Sequence, residues 1–275
     1  MNSNVLTSIN SLTIQVFSDL HLEMWNKLPD IPVKAKYLFL AGDISYVSQR
    51  FFYKFFDFCS ANWEKTFYVP GTIEFYNKKK NFNELQFECK YKFRQKYKNV
   101  FYLDNNSIPL NDEINVYGSI FWTYPAFETT YEAKICIDDY KNITYFHKGL
   151  RKIVNWDISY VKQLSKEAYF SLQNHLAKTN KKTIVITHFP PIRTGVSKPN
   201  EYQKMPPLLA YSSWKDGTIE NFNLKKVPLW ISGHTHWSYN IEKLGTTFFS
   251  NQLGIKSEIA DTRIDEQGLF TIITS

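Results

Sequence analysis

Four short motifs in this 275-residue sequence bring together histidine and aspartate, side chains that hold transition metals: Asp19-Leu20-His21, Gly42-Asp43, Thr187-His188 and Gly233-His234-Thr235-His236. Of the six histidines, four (His21, His188, His234 and His236) fall in these motifs. Imidazole combined with carboxylate suits Zn, Mn, Fe or Ni rather than Ca or Mg alone. Each motif is weak by itself. An Asp-x-His occurs by chance, a Gly-Asp is more often a turn, and a lone histidine at a strand end is commonly a packing residue. Gly-His-x-His is the strongest single signal, and the four together are stronger than their parts. In an extended chain residues i and i+2 face the same way, so Asp19 with His21, and His234 with His236, are expected to point to one side of an extended segment.

The elements that must position these groups are readable from β-branched and aromatic runs. Strands are expected over residues 12–17, 37–40, 66–69, 100–103, 115–122, 183–187, 228–232, 246–250 and 269–274. Helical periodicity is expected over 50–61, 81–97, 142–154 and 157–177, the last capped by Asp157. Strand and helix alternate, which predicts α/β layers in one domain spanning residues 1–275. The candidate ligands then fall at the C-terminal ends of strands, where open α/β sheets place their sites. His147 and His175 lie within the helical patterns and read as surface or packing residues.

The order and spacing of the motifs, over residues 14–251, resemble those of the calcineurin-like metallophosphoesterases. That family's pattern runs Asp-x-His, Gly-Asp, Gly-Asn-His-Asp/Glu, His, Gly-His-x-His. Further stretches, Gly118-Ser119-Ile120-Phe121-Trp122-Thr123, Asp139-Tyr140, Thr187-His188-Phe189-Pro190-Pro191 and Ser250-Asn251-Gln252-Leu253-Gly254, are similar to a bacterial-type branch of unassigned phosphohydrolases. The resemblance implies a four-layer α/β/β/α sandwich with two divalent transition metals (Mn, Fe, Zn or Ni) at one edge. It implies that Asp19, His21 and His236 hold the first metal, that Asp43 bridges both, and that His188 and His234 hold the second. Asp43, His188 and His234 are also the candidate catalytic residues. The implied reaction is hydrolysis of a phosphomonoester or phosphodiester by a hydroxide bridging the metals.

One motif departs from the pattern. Where the family has Asn and His, this chain reads Gly71-Thr72-Ile73-Glu74. Thr72 offers a shorter hydroxyl in place of an amide carbonyl, so the second metal is expected to bind weakly. Ile73 has no proton to give. The rival expectation is therefore a binding scaffold with an impaired site. A proline-rich loop, residues 190–217, starts two residues after His188 and supplies Arg193 as a candidate substrate-binding residue.

Charge adds a third possibility. Between Lys78 and Lys98 eight basic residues face only Glu84 and Glu88, so this stretch holds six of the seven net positive charges. It could be a patch for nucleic acid. The favoured reading is a solvated helix face, because Phe82, Leu85, Cys89, Phe93 and Tyr97 form an apolar stripe with the lysines outside it. The three cysteines are scattered, with no Cys-x-x-Cys, which predicts no disulfide framework and a reducing, cytoplasmic location. The N-terminal residues lack an apolar leader core, and no apolar run reaches membrane-span length.

Overall fold

Short runs such as Leu38-Phe39-Leu40-Ala41, Ile184-Val185-Ile186 and Leu229-Trp230-Ile231 are apolar at every position. Such runs suit parallel strands covered on both faces, and that is how they fold. The computed structural model describes residues 10–124, 134–135, 137–198, 218–255 and 265–274. The strands are β1 (Asn10–Phe17), β2 (Tyr37–Ala41), β3 (Lys65–Val69), β4 (Val100–Tyr102), β5 (Asn106–Pro109), β6 (Ile114–Ser119), β7 (Thr144–His147), β8 (Lys152–Asn155), β9 (Lys182–Thr187), β10 (Leu229–Ile231), β11 (Tyr239–Lys243), β12 (Thr246–Ser250) and β13 (Leu269–Thr274). The helices are α1 (Arg50–Asn62), α2 (Phe82–Lys96), the single turn α3 (Asp139–Asn142) and α4 (Ile158–Lys178).

One sheet runs β13-β1-β2-β3-β4 and a second runs β11-β12-β10-β9-β6-β5. The central strands of both pair in parallel, and antiparallel strands close three of the four edges. Side chains alternate across each sheet. Phe39 and Ala41 of β2 face inward with Val116, Ile184 and Ile231 of the other sheet. Leu38 and Leu40 face outward onto Phe52, Phe56 and Phe93 of α1 and α2. On the far side Tyr117, Val185 and Trp230 pack against Leu172 and Leu176 of α4. Helix, sheet, sheet and helix thus form the expected layers. No helix among the described residues is long and apolar enough to cross a membrane.

Helix α2 begins at a capping box in which Asn81 accepts from Asn83 and Glu84 backbone N–H groups and Glu84 reaches back to Asn81. Its buried side chains, Phe82, Leu85, Cys89 and Phe93, are members of the expected apolar stripe. Cys59 and Cys89 are free and buried.

The helix expected over residues 142–154 is not formed. β7 and β8 make an antiparallel hairpin there, registered Thr144 to Asn155 through His147 to Lys152. The β-branched and aromatic run Thr144-Tyr145-Phe146 and the pair Ile153-Val154 outweigh the weak helical spacing, and Gly149 lies in the turn between them. Tyr145 stacks on Tyr160 at 4.0 Å and 9°, a contact that a helical register gives no reason to expect. His147 therefore lies on a strand, while His175 lies in the last turn of α4, its Nε2 3.2 Å from Thr183 Oγ1.

Candidate metal centre

The four motifs meet where the C-terminal ends of β1 and β2 approach those of β9 and β10. Backbone hydrogen bonds join the strand ends: Asp19 N–H to Gly42 O at 2.9 Å and Gly233 N–H to His188 O at 2.9 Å. Two ligand sets result, Asp19 with His21 and His236, and Asp43 with His188 and His234. Within each, one ligand atom per residue lies within 4.8 Å of the others. His21 Nε2 is 3.1 Å from His236 Nε2, and His188 Nε2 is 3.2 Å from His234 Nδ1. Asp43 faces both sets, with Oδ2 3.9 Å from His21 Nε2 and Oδ1 3.5 Å from His188 Nε2.

The chain does not use extended backbone to aim these groups. Asp19, His21, Asp43, His234 and His236 all have φ between 46° and 75°, in the left-handed region. That corrects the i, i+2 argument. Asp19 and His21 do converge, but His234 and His236 go to different sets. Non-glycine residues seldom adopt this conformation, and its cost is tolerated where the surroundings over-determine it. Two glycines make the approach possible. A Cβ on Gly71 would fall 2.1 Å from Asp43 Oδ1, and one on Gly233 would fall 2.5 Å from Asp19 Oδ2.

The donor set fits a pair of metal ions. His188 Nδ1 donates to Ala41 O at 2.9 Å, which leaves the Nε2 lone pair facing Asp43 and His234. His21 Nδ1 is 2.7 Å from Glu23 Oε1, which leaves its Nε2 facing His236 and Asp43. A carboxylate or carbonyl on the far nitrogen is the usual way to orient a metal-binding imidazole. Burial disfavours a charged His21, yet the hydrogen bond it donates to Glu23 and the charge of Asp43 hold its pKa up at about 9. Burial also opposes a charge on His188, but Asp43 and Asp19 raise it. Burial pushes the Asp43 carboxyl up, and His188, His21 and His234 with the Ile73 N–H bring it below its ordinary value. Asp19 stays raised, because burial outweighs the pull of His188 and His236. Metal binding to such a cluster displaces protons.

Thr72 and Ile73 contribute backbone to this centre. Their N–H groups donate to Asp43 Oδ1 at 2.7 and 3.1 Å. Glu74 locks that loop in place, accepting from Gly71 N–H at 2.8 Å, Ile44 N–H at 2.9 Å and the Tyr68 hydroxyl at 2.9 Å. A cavity of about 430 Å³ opens over the centre, lined in part by His21, Asp43, Thr72, Ile73, Tyr76, Trp122, Asp139, His234 and His236. Arg193 is half-buried on the segment after His188 and is not among the lining residues. Residues 199–217 of the proline-rich loop lie outside the described residues.

Three contributors escaped the sequence reading. Glu23 follows His21 by two residues on a short 3₁₀ turn, and its other oxygen, Oε2, is buried with no hydrogen-bond partner among the described residues. Gln252, fully buried, accepts from the His236 N–H at 2.7 Å and donates to Trp237 O at 2.8 Å. Asp139 lines the cavity and accepts from the Tyr76 hydroxyl at 2.6 Å. Burial raises the Asp139 pKa to about 6 against the opposing pull of hydrogen bonds from Tyr76 and Thr72. Asp139-Tyr140 and Ser250-Asn251-Gln252 stand out in the sequence as stretches, but only the fold gives them a task.

An uncharacterized protein of Acanthamoeba polyphaga mimivirus is 28% identical over 265 residues, covering 89% of this chain and 92% of that one. The crystal structure of phosphopantetheinyl hydrolase from Mycobacterium tuberculosis shares the fold, with a TM-score of 0.67 at 13% identity over 96% of this chain and 97% of that one. The family model for calcineurin-like phosphoesterases matches residues 12–238. With that match over most of its length and two His/Asp sets at the strand ends, this chain belongs to the calcineurin-like phosphoesterase family.

Proposed function

We propose that this chain hydrolyses a phosphomonoester or phosphodiester at a site holding two divalent transition metals, with catalytic power reduced by Thr72 and Ile73. The observation that carries the reading is Asp43, whose two oxygens face the two ligand sets from one buried position. Asp19, His21 and His236 would hold one ion, His188 and His234 the other, with Asp43 between them and Thr72 as a weak further ligand. When bound, such a pair supplies Lewis-acid polarisation of a phosphoryl oxygen and acidifies water.

The chain's own residues do the rest. The left-handed backbone and the buried hydrogen bonds fix the donors before substrate arrives. The cavity walls, Tyr76, Trp122 and Phe189 among them, shield the reacting phosphoryl group from bulk water. Ile73 lines the cavity where the resemblance puts a histidine, and it can neither protonate a leaving group nor carry charge. A positioned acid–base group is typically worth about 10²–10⁴ in rate, or roughly 3–5 kcal/mol of barrier. Substrates with good leaving groups are therefore the ones this site turns over best. Arg193 lies outside the cavity lining, so it would serve only a substrate that extends beyond the cavity. The rival reading, a scaffold with an impaired site, draws on the same Ile73.

Turnover of an activated aryl phosphodiester with Mn²⁺ separates the two. The enzyme reading expects slow, metal-dependent hydrolysis that His236→Ala abolishes. A native chain that binds both metals and hydrolyses nothing leaves the scaffold.

A further inference from the structure

The most exposed of the large apolar side chains among the described residues is not near the metal centre. It is Phe87, 74% exposed, and one helical turn further on is Tyr91, 57% exposed. Both stand on α2, opposite the stripe that packs on the sheet. Their rings lie nearly parallel, at 12° with centroids 6.4 Å apart. Lys90 and Arg94, also exposed, complete the i, i+3, i+4, i+7 face on which residues of a helix are neighbours. The same four side chains border a groove of about 560 Å³ between α2 and the edge strands β4 and β5, with Val100, Phe101 and Ile108 also lining it. The surface therefore alternates aromatic, cation, aromatic, cation along an apolar groove.

Charge selects the occupant. The acids of this helix are already engaged: Glu88 binds Lys80 and Lys92, and Glu84 is in the capping box. Lys96 is paired with Asp57. Arg94 is in no ion pair with a described residue, and Lys90 has Asp104 near it, which Gln86 holds at 2.6 Å. Of the cations of this segment that are in no ion pair with a described residue or only near one, Lys90 and Arg94 are the two that border the open rings; Lys78, Lys79 and Lys98 lie outside the groove. A polyanion with flat apolar faces fits both features. Unpaired bases offer such faces to aromatic side chains while the backbone phosphates meet cations. Bases inside a duplex are stacked on each other and offer none.

We propose that the Phe87–Lys90–Tyr91–Arg94 face of α2 binds single-stranded nucleic acid, bases stacking on Phe87 and Tyr91 and phosphates pairing with Lys90 and Arg94. The site is separate from the metal centre and does not depend on its chemistry. It revises the reading of the basic segment as a merely solvated face.

The experiment is fluorescence anisotropy of the full-length chain with a labelled 12-nucleotide single strand of mixed sequence, checked for integrity afterwards, and with the matching duplex. The expected result is binding of the single strand in preference to the duplex. Phe87→Ala with Tyr91→Ala should weaken it by at least about tenfold. Lys90→Gln with Arg94→Gln should weaken it too, and should flatten the logarithmic salt dependence by about 0.7 for each cation lost. All four positions are exposed, so both variants should melt as the native chain does and keep its metal-dependent turnover. Equal binding by the aromatic variant, or preference for the duplex, overturns the proposal. So does the absence of single-strand binding, including the case where sedimentation shows a dimer that the aromatic variant loses. That last result would make the face a contact between copies of this chain.

Discussion

Asp19, His21 and His236 are braced by side chains: Ser18 donates to Asp19, Glu23 holds His21, and Gln252 accepts from the His236 backbone. Asp43, His188 and His234 are braced differently. Asp43 leans on the N–H groups of Thr72 and Ile73, His188 on the Ala41 carbonyl, and His234 on the ring of Phe189 at 4.1 Å. The first set has Asp19, His21 and His236 as its side-chain donors. The second depends on a loop that supplies backbone donors but no side-chain ligand stronger than a hydroxyl. With Asp43 shared, the first ion would have four primary donors and the second three, so the two are expected to differ in affinity. Asp43 should transmit damage on the second side to the first.

The most damaging way to test this asymmetry is to remove the shared residue. Asp43→Asn should lower metal content at both sets and abolish turnover, whereas His188→Asn should cost mainly one equivalent. Metal analysis showing two full equivalents in Asp43→Asn would end the bridging assignment. Repair should act in the opposite direction. Thr72→Asn with Ile73→His places an amide and an imidazole on the loop that braces Asp43. Turnover of an aryl phosphodiester with Mn²⁺ should rise by about 10² or more. If the repaired chain is as slow as the native one, the pocket differs by more than these two side chains.

Smaller effects probe the surroundings of each set. Beside Thr72, Asp139 has a pKa of about 6 when folded against an ordinary value of 3.8, because burial disfavours its charge. A carboxyl that holds its proton more tightly when folded stabilises the chain fully below the unfolded value. That stability is lost as pH rises toward the folded one. Relative to Asp139→Asn, the metal-free native chain should lose up to about 3 kcal/mol between about pH 4 and pH 6. Urea melts across that range read the difference, and parallel curves would show that Asp139 is not buried as described. On the first side, Glu23→Gln should weaken one metal by about 10–100-fold through loss of the charge that orients His21. The other metal should be unaffected.

The layers were legible because strands such as β2, β9 and β10 carry apolar runs, and candidate ligands follow the ends of β1, β2, β9 and β10. The convergence of Asp19 with His21 was legible too, but for the wrong reason. Alternation along an extended chain does not apply where φ is 53° and 46°. No sequence pattern announces a left-handed aspartate. The hairpin at β7 and β8 was missed because short β-branched runs around a glycine also satisfy a loose helical spacing. Glu23, Asp139 and Gln252 were missed for another reason. A residue that orients a ligand, or lines its cavity, needs only to be nearby in space, and Gln252 is 16 residues from the His236 it holds.

The central claim, two unequal metal centres sharing Asp43, is tested most directly by calorimetric titration of Mn²⁺ into the metal-free chain. The same titration is repeated on His236→Ala and His234→Ala. The account predicts two resolved steps in the native chain. The tight step should be lost in His236→Ala, and the weak one in His234→Ala. A single step of two equal equivalents, or a tight step that survives His236→Ala, would contradict it.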